Sequence, residues 1–368
     1  MSRAIRLAIV GVGEMGVSRA VVANALPCYE LVCLVEQSRM VGRIAARQFG
    51  VPCYRSLTRA MRQEDVDAVM VCTPPHAHCE VAIEAVRAGK HVLCEKPLGT
   101  TLPESKRMLE AARHTGAVHQ VGYDMRFHPV YAKAKQLLDS GVIGDVRYLM
   151  AVAHDGEVAE RVDISKRKDL IDRGGLFGVF APHVIDIVLW YGGEIEELAA
   201  LGTAGNAEGL VDFASAVCRF RGGAHGIVDL GWSHHGIDKP HFNFTMTGTK
   251  GSMLVETDQL CLRLQEPTDD FGRGESVLYG PEIWGRTGFD FTGKPLSREM
   301  EAFAGAITSG RSGSPSWEDG YRVDEFVAAL KATASQPAIV SFPLDRDERE
   351  WGKNDDIWPR SECYARGG

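Results

Sequence analysis

The sequence predicts an α/β protein of two domains, the first a doubly wound parallel sheet with helices between its strands. Three observations carry this. The chain has 368 residues, more than one hydrophobic core usually accommodates. Short apolar runs alternate with helix-length segments as far as residue 123, the pattern left by right-handed crossovers between parallel strands. Finally, Gly11-Val-Gly13-Glu14-Met15-Gly16 stands between an apolar run and a helix-compatible segment.

Ile5 to Gly11 reads as a buried strand and Val17 to Leu26 as the helix after it. The glycines between them suit a tight turn at Gly11, the approach of a pyrophosphate at Gly13 and close helix–strand packing at Gly16. A helix N-terminus there offers unpaired N–H groups and positive dipole to phosphate. Gly11, Gly13, Glu14, Met15 and Gly16 are therefore expected to bind a dinucleotide. The next strand, Leu31 to Val35, ends in Glu36, twenty residues beyond Gly16. A carboxylate there accepts hydrogen bonds from the adenine ribose of NAD and repels a 2′-phosphate. NAD is the expected cofactor, with Arg39 close enough in sequence to leave NADP as the alternative.

A helix over Arg39 to Phe49 stops at Gly50, and a strand over Ala68 to Cys72 leads into Thr73-Pro74-Pro75-His76-Ala-His78. Glu80 to Ala88 is helical, His91 to Cys94 is a short buried strand, Pro103 to His114 is helical and Val118 to Tyr123 is a further strand. The strand ends at Gly11, Glu36, Thr73, Glu95 and Gly122 then line one edge of the sheet, the edge expected to hold the cofactor. Lys96 is delivered at that edge, since Pro97 keeps the residue before it extended.

Net charge is −8, so no nucleic acid or anionic membrane is expected as a partner. No apolar run reaches spanning length, and the N-terminus lacks a basic-then-apolar secretory pattern. The nine cysteines show no Cys-x-x-Cys spacing, which fits a reducing cytoplasm. His76 and His78 have no third ligand nearby in sequence, so no metal site is expected.

Gly11-Val-Gly-Glu-Met-Gly16, Thr73-Pro74-Pro75-x-x-His78 and above all Glu95-Lys96-Pro97 resemble the Gfo/Idh/MocA oxidoreductases. The similarity continues through Gly122-Tyr-Asp-Met-Arg126-Phe-His-Pro129, Ser140-Gly-Val-Ile-Gly144, Gly248-Thr-Lys-Gly251 and Glu318-Asp-Gly320. The resemblance implies a Rossmann domain over residues 1–123. It implies a C-terminal α/β domain over 124–368 with a largely antiparallel open sheet, serving substrate binding and oligomerisation. It implies hydride transfer between NAD(P) and a secondary alcohol of a sugar, cyclitol or sugar derivative, in a homodimer or homotetramer. The resemblance also implies that Thr73, Pro74, His78, Glu95 and Lys96 lie with the cofactor, and that Lys96 contacts the substrate hydroxyl, with Arg126 and Asp155 as further substrate contacts.

In the second half, Arg147 to Ala153, Val211 to Phe220, Ala224 to Gly231, Phe242 to Thr247 and Ser252 to Glu256 read as strands. Arg298 to Thr308 and Tyr321 to Ser335 read as helices. Pro182 suits a helix start, and His183 matches the family histidine, an imidazole able to accept the hydroxyl proton. The family aspartate four residues earlier falls on Val179. Asp155, Asp172 and Asp186 are the candidates to replace it. The departure keeps two alternatives open, a biosynthetic reductase of a C=O or C=N group and a nucleotide-binding sensor without catalysis. The charge mixture over Asp163 to Arg173 reads as solvated loop. His234 and His235 read as surface, and the tail with Trp351 and Trp358 as a polar packing segment.

Overall fold

The computed structural model describes residues 3–155, 174–203, 211–232, 240–284, 295–336 and 338–344. Two compact units result, Met1–Phe127 with Thr287–Asp324, and His128–Arg286 with Glu325–Gly368. The expected division at residue 123 thus differs at two places, a four-residue extension and the later segment that joins the first unit.

The first unit holds a parallel sheet of β1 (Ile5–Val10), β2 (Tyr29–Val35), β3 (Cys53–Tyr54), β4 (Ala68–Val71), β5 (His91–Cys94) and β6 (His119–Val121). Their order is β3-β2-β1-β4-β5-β6. It reverses beside β1, the switch point at which such sheets bind ligands. The inner strands are apolar on both faces, as burial between two helix layers requires. Leu7, Ala8, Ile9, Val69, Met70, Val92, Leu93 and Cys94 are all inaccessible to solvent.

Helices α1 (Glu14–Ala25), α2 (Arg39–Phe49), α3 (Leu57–Gln63), α4 (His78–Arg87) and α5 (Leu102–Arg113) connect the strands. Ser38, Ser56 and Thr101 cap α2, α3 and α5 by accepting from backbone N–H groups, each worth about 1 kcal/mol. Gly50 ends α2 in the left-handed conformation. β3 and α3 were not legible in the sequence, being two and seven residues long.

The second unit carries α6 (Pro129–Asp139), β7 (Val146–His154), α7 (Ala181–Gly192), β8 (Ile195–Thr203), β9 (Phe213–Phe220), β10 (His225–Gly231), β11 (His241–Gly248), β12 (Gly251–Val255), β13 (Gln259–Leu264), β14 (Gly274–Tyr279) and α8 (Gly280–Trp284). With β15 (Val340–Ser341) they build a sheet ordered β14-β13-β12-β11-β7-β10-β9-β8-β15. Pairings are antiparallel except β7 with β10. Leu149, Ala151 and Ala153 of β7 alternate inward, toward the face on which α7 packs.

α9 (Leu296–Ser309) belongs to the first unit. Its Leu296, Met300 and Phe303 recur on one helical face and enter the hydrophobic core with Leu7, Ile9, Ala20 and Tyr29. The Tyr29 hydroxyl donates to the Met300 carbonyl at 2.6 Å. α10 (Trp317–Ser335) follows, its indole N–H at Trp317 donating to the Gln120 carbonyl at 3.2 Å.

Candidate active site

The glycine turn shows which of its residues serve folding and which serve a ligand. Gly11 has φ +87°, and a Cβ there would lie 2.6 Å from the Cys72 carbonyl oxygen. A Cβ on Gly16 would lie 1.9 Å from the Gly11 carbonyl oxygen. Both glycines are demanded by the chain itself. Gly13 is different, because a Cβ there would meet nothing within 4 Å. The space above it is what an approaching pyrophosphate needs. Gly13 also begins α1 without a side-chain cap, which leaves the first-turn N–H groups for phosphate. Glu14 is exposed and Met15 partly so.

Overpacking at this contact costs about 1–3 kcal/mol. Gly16→Ala is therefore expected to weaken NADH binding by about tenfold or more, measured by fluorescence titration, and wild-type affinity would contradict the packing account.

Glu36 stands at the end of β2. One carboxylate oxygen accepts from the Ser38 N–H at 2.8 Å, the other from the Val12 N–H at 3.3 Å. The second contact sets the carboxylate beside the glycine turn, where an adenine ribose would lie. Arg39 is exposed at the start of α2. At the end of β4, Thr73 Oγ1 is buried without a hydrogen-bond partner, and Pro74 is exposed. An open glycine, an uncapped helix end, a carboxylate beside them and an unsatisfied buried hydroxyl fit a bound dinucleotide. Those residues would hold NAD, which when bound supplies the hydride acceptor.

Glu95, expected with the cofactor, is drawn into the interior. Its Oε1 lies 2.8 Å from Arg19 Nε and 2.6 Å from an Arg19 terminal nitrogen. Arg19 is fully buried, and its other terminal nitrogen lies 2.8 Å from Glu299 Oε2 of α9, also fully buried. A Cβ on Gly122 would stand 3.0 Å from both Arg19 and Glu95, so the bare backbone there makes room for the ion pair. Burial pushes the Glu299 carboxyl up to about 8, against the pull of Arg19.

His78 is also engaged within the chain. It is 1% exposed, with Nδ1 2.8 Å from the Pro97 carbonyl and Nε2 2.9 Å from the Thr73 carbonyl. Burial lowers its pKa while the carbonyls favour the charged ring. On a neutral ring only one of the two contacts carries a hydrogen bond. The ring sits between the Lys96 turn and the end of β4. Lys96 itself is partly exposed. Arg126, expected at the substrate, is buried with a terminal nitrogen 3.4 Å from Asp319.

Gly11, Gly13, Glu14, Met15, Gly16, Glu36, Thr73, Pro74, His78, Glu95, Lys96 and Arg126 thus all belong to the first unit, and Asp155 and His183 to the second. His183 is the third residue of α7 and partly exposed, after a π-helical turn over Leu176–Phe180 that contains Val179. Asp186 is fully buried. Asp155 is partly exposed at the end of β7, its N–H donating to the Gly231 carbonyl at 2.8 Å. The neighbouring His154 has Nε2 2.8 Å from Asp229. Trp232 is buried and donates to Asp212 at 2.8 Å. Asp172, residues 163–173, His234, His235 and the Trp351–Trp358 tail lie outside the described residues. Among the described residues no cluster of three or more His, Cys, Asp or Glu side chains is arranged for a metal.

Arg19 and Glu299 were missed in the sequence, yet a signal existed. Arg19 shares its helix face with Gly16, Ala20 and Ala23, and Glu299 shares one with Leu296, Met300 and Phe303. A charged residue on the core stripe of an amphipathic helix needs a buried partner.

Residues 5–123 match the family model for the oxidoreductase family with NAD-binding Rossmann fold. Residues 131–254 match that for the GFO/IDH/MocA C-terminal domain. The chain is 28% identical to levoglucosan dehydrogenase of Pseudarthrobacter phenanthrenivorans, over 92% of this chain and 98% of that protein. It is 29% identical to scyllo-inositol 2-dehydrogenase (NAD(+)) of Bacillus subtilis, over 85% of this chain and 89% of that protein. A dTDP-3,4-didehydro-2,6-dideoxy-alpha-D-glucose 3-reductase of Streptomyces violaceoruber is 34% identical over 51% of this chain and 55% of its own. A solved levoglucosan dehydrogenase in complex with NADH and levoglucosan superposes with a TM-score of 0.79 at 27% identity, covering 93% of this chain and all of that one.

Proposed function

The chain belongs to the Gfo/Idh/MocA family of oxidoreductases, and from that premise we propose that it is an NAD-dependent dehydrogenase acting on a secondary alcohol of a sugar, cyclitol or anhydrosugar. The observation that carries this reading is the open glycine turn with Glu36 beside it, supported by a strand end that presents Lys96. Oxidising an alcohol requires a base for the hydroxyl proton and a cation to stabilise the developing oxyanion. In this reading the Lys96 ammonium holds the hydroxyl and His183 accepts its proton, a task for which imidazole titrates in the useful range. Asp155, partly exposed, is the described carboxylate that best serves as a further substrate contact, because Asp186 is buried.

The reading includes a homodimer or homotetramer and a cytoplasmic location. It is supported by the apolar side chains exposed on the second sheet at Leu201 and Val217, and by the free state of all the described cysteines. Among the described residues no helix is long and apolar enough to cross a membrane.

Fluorescence titration with NADH and NADPH, followed by turnover of levoglucosan and of myo- and scyllo-inositol, is the test. NADH is expected to bind at least about tenfold more tightly than NADPH, because Glu36 repels a 2′-phosphate. Preference for NADPH would sink the Glu36 assignment and favour the second reading, a sugar-ketone reductase, to which the partial match with the dTDP-sugar reductase points. Binding of neither cofactor would end the dehydrogenase reading.

A further inference from the structure

The turn that carries Lys96 is fastened by residues distant in sequence. On one side Glu95 is gripped by Arg19 of α1, and the Pro97 carbonyl faces His78 of α4. On the other, the Gly99 N–H donates to Asp324 Oδ2 at 3.2 Å, and the Ser105 hydroxyl donates to the same oxygen at 2.7 Å. Asp324 comes from α10, 225 residues after Gly99, and is 1% exposed. The packing at this point leaves no slack. A Cβ on Gly99 would lie 2.6 Å from Ser105 Oγ, and one on Gly320 of α10 would lie 2.7 Å from Val121 and 3.1 Å from Leu98. Thr100 is held in turn, donating to Glu104 from its N–H at 2.9 Å and from its hydroxyl at 2.5 Å.

Burying a carboxyl is costly, and an apolar side chain would fill the same space at less expense. Burial pushes the Asp324 carboxyl up to about 7, opposed by donors from Ser105, Gly99 and Leu98 and reinforced by the Glu104 carboxylate. What the carboxyl achieves is a single fixed position for the Gly99 N–H, three residues beyond Lys96. We propose that Asp324 is a positioning residue for Lys96, acting through the Gly99 N–H to hold the Lys96 turn in its reactive place. The proposal rests on the role assigned to Lys96 above.

The experiment compares wild type with Asp324→Ala and Asp324→Asn by two readouts. The first is the rate of reductive methylation of Lys96 by formaldehyde and dimethylamine–borane, quantified by peptide mass spectrometry against the other lysines. The second is steady-state turnover of whichever cyclitol or anhydrosugar the wild type oxidises. In Asp324→Ala the Lys96 rate should rise several-fold relative to the other lysines. Its kcat should fall about 10- to 100-fold, as displacement of a reacting group by about 1 Å does, with KM for NAD within about twofold of wild type. Asp324→Asn keeps an acceptor oxygen for the Gly99 N–H and the Ser105 hydroxyl and should restore both readouts. If Asp324→Ala fails to fold, Asp324→Ser, polar but too short to reach Gly99, takes its place with the same expectation. A folded variant, less stable but with wild-type Lys96 labelling, overturns the proposal and leaves Asp324 a role in stability alone. A wild type that oxidises none of the probes defeats the functional reading, and the labelling still decides the role of Asp324.

Discussion

Lys96→Met is expected to lower turnover about 10³-fold while NADH binding stays within about twofold of wild type. Methionine matches the length and much of the volume of lysine but can neither donate a hydrogen bond nor stabilise an oxyanion. The fold should survive the change, because the turn is held through Glu95, the Pro97 carbonyl and the Gly99 N–H. Loss of turnover with cofactor affinity retained would separate chemistry from binding. Turnover within about tenfold of wild type would remove Lys96 from the reaction, leaving His183 to act without it.

Arg19→Met is expected to be the most destabilising single change in the first unit, costing about 3–5 kcal/mol. Removing the guanidinium leaves the buried Glu95 and Glu299 carboxyl groups without the donor they share. A lower urea midpoint would report it, and a midpoint near wild type would mean the pair is of little energetic consequence. Glu299→Gln should behave in the opposite way. In the folded protein the Glu299 proton is retained up to about 8, against 4.5 for an ordinary glutamate. Between those values the unfolded chain gives up a proton that the folded chain keeps, so stability falls as pH rises. Below about 4.5 the group makes no difference, and above about 8 the loss is complete. The glutamine variant lacks this loss, and its advantage over wild type in urea should grow from pH 5 to pH 8. An advantage independent of pH would show that Glu299 is ionised throughout.

The first sheet was legible because each inner strand is a short apolar run that stops at a glycine, an acid or a proline. The positions of the glycine turn, Glu36 and Lys96 were legible for the same reason, since they follow strand ends that the pattern itself marks. What escaped was pairing across the chain. Nothing near Arg19 announces Glu299, and nothing near Gly99 announces Asp324. Each pair is brought together only when the segment Thr287–Asp324 folds against the N-terminal part of the first unit. The second sheet was half legible. Its central strands run apolar between turns, whereas β8 leaves Glu197 and Leu201 outward and β14 has no fully buried residue, so neither carries a clear period-two signal. Pro129–Asp139 was overlooked as a helix although proline at its first turn is a recognisable start.

The discontinuity of the first unit also bears on how the chain is made. A ribosome delivers the cofactor-binding strands early, yet Leu296, Met300 and Phe303, which complete their core, and Glu299, which completes the ion pair at Arg19, emerge much later. Until then the nascent chain presents an open apolar surface and a guanidinium with half its partners. At a few residues to about twenty per second, that interval lasts for many seconds. The segment from Thr287 to Asp324 is therefore a timing element as much as a packing one. The first unit begins to be synthesised at once but is complete only when Asp324 has emerged.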